Sequence, residues 1–90
     1  MFKYLEELVE VIRERKTSSS EISYTKKLLN DKKLSINKVK EEIAELLEAI
    51  EKDTNKVHEA ADVLYHLVVL LEVNDIKIED VMKELKIRQK

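Results

Sequence analysis

Apolar residues recur along this chain with the period of an α-helix. Phe2, Leu5, Leu8, Val9 and Ile12 follow i, i+3, i+4, i+7 spacing, which predicts an amphipathic helix over about residues 2–16. "TSSSEIS" (17–23) breaks the period and reads as a loop whose hydroxyls can cap the next helix. "YTKKLLND" (24–31) predicts one or two helical turns, and "KKLS" (32–35) a connection in which Ser35 is the N-cap of the third helix. That third helix spans about 36–52, with Ile36, Val39, Ile43, Leu46, Leu47 and Ile50 as its buried stripe. Asp53 or Thr54 then caps a fourth helix over about 55–73, and "NDIK" (74–77) leads to a last one, about 78–87, carrying Ile78, Val81, Met82 and Leu85. The predicted fold class is all-α: a bundle of four to five helices joined by short loops, with helices three and four antiparallel at its centre.

Length and composition sharpen this picture. A chain of 90 residues makes a single domain, 1–90, and buries only about 60–65 % of its unfolded surface, so it is marginal alone. With no Cys it has neither disulfides nor a Cys-based zinc site to support it. Oligomerisation is the remaining support, and a homodimer or higher homo-oligomer is expected. The fourth helix, apolar on almost every side, points the same way. Gly and Pro are both absent, so every turn must use Ser, Thr, Asn, Asp or Lys, which suits helix–helix connections better than tight hairpins.

Seventeen basic residues against 19 acidic leave a net charge of −2, which argues against a nucleic-acid binder. The longest unbroken apolar run, Leu67–Leu71, is far short of the roughly 18–20 residues that span a membrane. The N-terminal stretch carries Glu6, Glu7 and Glu10 and no signal-peptide pattern. A soluble, cytoplasmic protein is expected.

The polar residues inside the apolar helices need an explanation. Projected at about 100° per residue, Glu42 falls beside the stripe of the third helix and Glu45 roughly 60° further round; Ala49, one turn on, leaves space between them. On the fourth helix, Glu59, Asp62 and His66 share a sector of about 60°. Antiparallel packing through the short link at 53–54 brings both pairs to similar heights, so four carboxylates share one small region. At ~5–6 Å and an effective dielectric of 20, each like-charge pair costs about 3 kcal/mol. A divalent cation relieves this at neutral pH without loss of the charges, and an oxygen-only ligand set selects Mg²⁺, with Mn²⁺ as a substitute, over zinc. Against this stands the plainer reading of acids as a solvated face, which is the simplest account of Glu41, Glu48 and Glu51, although Glu41 is near enough to support the ligands. His66 is either a satisfied core histidine or a substrate contact, and Tyr65 reads as packing.

The stretch "VKEEIAELLEA…HEAADVLYHLVVLL" resembles the phosphoribosyl-ATP pyrophosphatase family, a branch of the all-α NTP pyrophosphatase (MazG-like) superfamily. The superfamily signature E-E-x-x-E then E-x-x-D corresponds here to Glu41, Glu42, Glu45, Glu59 and Asp62. "SYTKKLL" (23–29) and "IEDVMKEL" (78–85) extend the likeness over nearly the whole chain. The resemblance implies Mg²⁺-dependent hydrolysis of the α–β phosphate bond of phosphoribosyl-ATP to phosphoribosyl-AMP and pyrophosphate, the second step of histidine biosynthesis. It implies Glu42, Glu45, Glu59 and Asp62 as ligands, with Glu41 supporting them or orienting water. No Ser, Cys or His nucleophile arrangement is evident, which favours direct attack by water. Lys27 and Lys38 match basic positions of the family and are candidate phosphate contacts; Arg13, Arg15 and Lys26 are weaker ones. Tyr24 either packs against a base or fills the core. The chain departs from the family pattern at Lys40, where Gly is common, at Glu21 and Ile22, where Pro and Gly are frequent, and at Lys77, where a capping Ser or Thr is usual.

Two rival functions share parts of this pattern. A house-cleaning (d)NTP pyrophosphatase of the same superfamily would use the same metal cluster. A non-catalytic helical dimerisation module would instead answer each acid with a lysine.

Overall fold

The computed structural model describes residues 1–17 and 23–89. The hydroxyl-rich loop expected around Ser18–Ser20, and the departures at Glu21 and Ile22, lie outside the described residues. The helices, in chain order, are α1 (Lys3–Thr17), α2 (Tyr24–Leu29), α3 (Lys32–Lys52), α4 (Lys56–Val73) and α5 (Ile78–Ile87). There is no strand among the described residues, and no helix is long and apolar enough to cross a membrane. The all-α expectation is met.

Helices α3 and α4 form an antiparallel hairpin with the most extensive contact in the molecule, and short α2 packs where α1, α3 and α4 meet. The core joins Val9 and Ile12 of α1, Leu28 of α2, and Val68, Val69 and Val73 of α4, with Leu5, Leu8, Leu29, Leu34, Tyr65 and Ile78 packed around it. Ion pairs fasten the C-terminal end of α1. Arg13 grips Glu79 of α5 with two hydrogen bonds, at 2.6 and 2.9 Å, and reaches Glu72 of α4 at 3.4 Å. Lys16 donates to the Glu72 carbonyl at 3.0 Å and to Asp75 at 2.8 Å. Arg13, a candidate phosphate contact by sequence, is therefore a structural clamp.

The turns show how a chain without glycine ends its helices. Asp53 and Asp75 adopt φ of 54° and 55°. Thr54 N–H bonds the Ala49 carbonyl at 2.9 Å and Ile76 N–H bonds the Leu71 carbonyl at 2.9 Å, the six-to-one bonds of a helix closed by a left-handed residue. Asp tolerates that conformation better than most side chains because its short polar group can bond locally.

Three expectations need correction. Helix α3 starts at Lys32, not near Ile36, and its N-cap is Asp31, whose carboxylate accepts from Leu34 N–H at 3.0 Å. Lys32, Lys33 and Leu34 favour helix, so the helix runs back to the first strong cap, and Ser35 ends up 1 % exposed inside it. Helix α4 begins after Asn55, which makes no side-chain cap bond, because Asp53 is used to close α3.

The third correction concerns the α3 stripe. Val39 is buried, but Ile36, Ile43, Leu47 and Ile50 are exposed, Leu47 at 56 % and Ile50 at 54 %. The buried side of α3 is Ser35, Val39, Glu42 and Ala49, roughly 90° round from the apolar stripe at 100° per residue. Glu42 therefore lies on the buried side itself. Similarly α5 has no buried residue, and Met82 and Leu85 are exposed.

Candidate metal centre

Ser35, Val39, Glu42 and Ala49 share one side of α3 because their spacing of four, three and seven residues closes on two and four helical turns. Facing them across the hairpin, α4 carries Glu59, Asp62 and His66. Glu42 is 9 % exposed, and one of its oxygens, Oε2, is buried with no hydrogen-bond partner. Glu59 Oε2 is in the same condition. An unpartnered buried carboxylate oxygen costs free energy, and here there are two.

They belong to one cluster. Ligand oxygens of Glu42, Glu45 and Glu59 lie within 4.8 Å of one another. Two oxygens of a single Mg²⁺ shell are at most about 4.2 Å apart, so a small side-chain adjustment would bring this donor set to the size of such a shell. Burial, and then the neighbouring Glu45, push the Glu42 carboxyl above its usual range, while His66 offsets part of this. Burial and Glu45 raise Glu59 likewise. The lysines go elsewhere: Lys38 pairs with Glu41, Lys52 with Glu48 and Lys56 with Asp53. Among the described residues none pairs with Glu42, Glu45, Glu59 or Asp62, contrary to what a merely structural acid cluster would show.

Asp62 sits at the margin of this set. Its Oδ2 is 3.4 Å from His58 Nε2, and it groups with His58 and Glu59 rather than with the α3 acids. Glu41 is exposed and lies 3.5 Å from Lys38. Lys38 is close enough to Glu41, Tyr24 and Glu42 for their charges to raise its pKa. Lys27 is exposed on α2 and forms no ion pair or side-chain hydrogen bond with another described residue.

Behind the acids, His66 is 6 % exposed and has both ring nitrogens engaged, Nδ1 with the Asp62 carbonyl and Nε2 with the Tyr24 hydroxyl, each at 2.7 Å. Tyr24, Tyr65 and His66 form an aromatic cluster, with the two tyrosine rings stacked at 6.4 Å. Thr25 and Tyr65 hydroxyls are bonded to each other. Tyr24 remains 47 % exposed and lies close enough to Lys38 for the two charges to interact.

At the other end of the cluster a cavity of about 270 Å³ opens, lined by Glu45, Glu48, Ala49, Lys52, Thr54, Asn55 and Glu59. Ala49 leaves the space that its small side chain suggests. Sequence reasoning gave Lys52, Thr54 and Asn55 no part in the site, placing Lys52 at the end of the third helix, Thr54 as a possible cap and Asn55 at the start of the fourth; only the hairpin reveals that the turn borders the acids.

The model of the phosphoribosyl-ATP pyrophosphohydrolase family matches residues 5–89. The chain belongs to that family. The likeness spans all five helices rather than the acidic signature alone. The histidine biosynthesis bifunctional protein of Pyrococcus furiosus is 47 % identical over 87 residues, which cover 96 % of this chain and 41 % of that longer protein. Phosphoribosyl-ATP pyrophosphatase of Clostridium novyi is 44 % identical over 96 % of this chain and 81 % of its own length. The Halobacterium salinarum enzyme of the same name is 42 % identical over 94 % of this chain and 96 % of its own length. In this family setting, the acidic groups between α3 and α4 are candidates to hold a metal ion.

Proposed function

We infer that this chain hydrolyses the α–β phosphoanhydride of phosphoribosyl-ATP, releasing pyrophosphate and phosphoribosyl-AMP in histidine biosynthesis. The observation that carries the reading is the pair of buried, unpartnered oxygens, Glu42 Oε2 and Glu59 Oε2, in a cluster that no lysine among the described residues neutralises. Glu42, Glu45, Glu59 and Asp62 would hold Mg²⁺, for which a carboxylate set is suited. The cation supplies charge neutralisation for phosphate oxygens and activation of water.

The chain's own residues do the rest. Glu41 holds Lys38 beside the cluster, where the ammonium can meet a phosphate. Tyr24 offers an aromatic face next to it, anchored through its hydroxyl to His66. The cavity at Ala49 leaves room beside Glu45 and Glu59 for a phosphate group. Lys27 is a further, more distant phosphate contact in this reading. A cytoplasmic setting is the one expected for a biosynthetic enzyme acting on a nucleotide.

A homodimer is part of the same reading. Ile36, Ile43, Leu47 and Ile50 on α3, with Val57, Leu64 and Leu67 on α4, are exposed large apolar residues. Contiguous apolar surface of this kind marks an interface, and a second α3–α4 hairpin supplies the matching surface by two-fold symmetry.

A pyrophosphate-release assay tests the activity, run on phosphoribosyl-ATP beside a panel of dNTPs, with Mg²⁺ and with chelator. Magnesium-dependent turnover that favours phosphoribosyl-ATP is expected. A preference for dNTPs would assign the chain to nucleotide house-cleaning instead, a function that the family match over 5–89 disfavours.

A further inference from the structure

Glu59 belongs to two groups of ligand atoms. It meets Glu42 and Glu45 on one side and His58 and Asp62 on the other, and within each group the donor atoms lie inside 4.8 Å. The second group differs in chemistry, because it includes a nitrogen. His58 precedes Asp62 by one helical turn, with Nε2 3.4 Å from Asp62 Oδ2. Its side chain is 72 % exposed, so packing leaves the ring free to turn toward the acids.

Two further observations point to a cation here. Glu59, shared by both groups, keeps a buried oxygen with no partner, and so does Glu42 beside it. The other histidine of the site is unable to serve as a ligand, since both nitrogens of His66 are already hydrogen-bonded. His58 is thus the one imidazole at the cluster with a nitrogen directed at a carboxylate ligand. Carboxylates suit Mg²⁺ and Mn²⁺, whereas imidazole raises affinity for later first-row ions.

We propose that His58 Nε2, with Glu59 and Asp62, forms a second cation position that shares these two carboxylates with the first and prefers imidazole-accepting ions such as Co²⁺ over Mg²⁺. The proposal rests on the cation site inferred for the α3–α4 acids, and adds to it a ligand outside the E-E-x-x-E and E-x-x-D signature. It gives this chain a transition-metal preference that relatives with another residue at position 58 would lack.

The test uses the full chain loaded with Mn²⁺ alone and read by pulsed electron paramagnetic resonance, which detects imidazole nitrogen bonded to Mn²⁺ through its ¹⁴N modulation. The wild type is expected to show that modulation and His58→Ala to lose it. Cobalt affinity should fall roughly tenfold in His58→Ala, with Mg²⁺ affinity changed less than about twofold. Circular dichroism confirms the fold of this exposed-site variant. Bound Mn²⁺ without nitrogen modulation, or modulation that survives in His58→Ala, would overturn the proposal and leave the carboxylate site standing. Failure of the wild type to bind Mn²⁺ at all, visible as the unaltered signal of the free ion, would remove both.

Discussion

The Tyr24 hydroxyl and His66 Nε2 are joined by a hydrogen bond of 2.7 Å. On the other side of the ring, His66 Nδ1 faces the Asp62 carbonyl at 2.7 Å, and a carbonyl can only accept. Nδ1 therefore carries a hydrogen. One relay thus links α2, the core of α4 and the backbone of Asp62. Tyr24→Phe leaves a buried nitrogen without its partner and should cost about 1 kcal/mol, measured by urea unfolding. Nitrogen NMR of His66 should show Nδ1–H retained.

The exposed α3 stripe leads to a second expectation. Leu47→Lys puts a charge in the middle of Ile36, Ile43, Leu47 and Ile50 without touching the buried side of α3. Light scattering should move from a multiple of the 10.6 kDa chain mass to the monomer. A wild type that is already monomeric would remove the dimer from the reading.

Asp53 gives a third. Its φ of 54° is a conformation that glycine adopts freely and a side chain adopts at a cost. The exposed pair it makes with Lys56 contributes little. Asp53→Gly should stabilise the fold by about 0.5–1 kcal/mol, seen as a higher thermal midpoint.

The α1–α5 clamp makes the fold acid-sensitive. The Arg13 guanidinium, by hydrogen bonding, holds the Glu79 carboxyl well below its usual value, at about 2. A depressed carboxyl contributes stability that is full above its unfolded pKa of about 4.3 and is lost as pH falls from there toward the folded value. Docking of α5 should therefore loosen between about pH 4.3 and pH 2. Amide exchange in α5 should rise over that window, and Glu79→Gln should show fast exchange at neutral pH with the acid step abolished.

Much of this was legible in the sequence because helical period and signature spacing are local properties. Five helices, the α3–α4 hairpin and the convergence of Glu42, Glu45 and Glu59 follow from apolar spacing, a short link and antiparallel packing. What the spacing concealed was which side of α3 faces inward. Ile36, Ile43, Leu47 and Ile50 look like a core stripe, and the chain instead buries the side bearing Ser35 and Glu42. A hydrophobic pattern reports that a surface needs covering; it does not say whether the same chain covers it. Asp31 was missed as a cap because Ser35 offered an equally good hydroxyl, and the preference of Lys32–Leu34 for helix decided between them. The His58–Asp62 contact was passed over because His58 lies outside the family signature.

The central claim is that the acids between α3 and α4 bind a divalent cation, and calorimetric titration of Mg²⁺ into wild type and Glu42→Gln tests it most directly. Removing an unpartnered buried charge should raise the metal-free stability of Glu42→Gln by about 1 kcal/mol, so a misfolded variant is not expected to confuse the result. The account predicts saturable Mg²⁺ binding by the wild type and its loss in Glu42→Gln. Equal Mg²⁺ affinity in the two proteins, or none in the wild type, would contradict it.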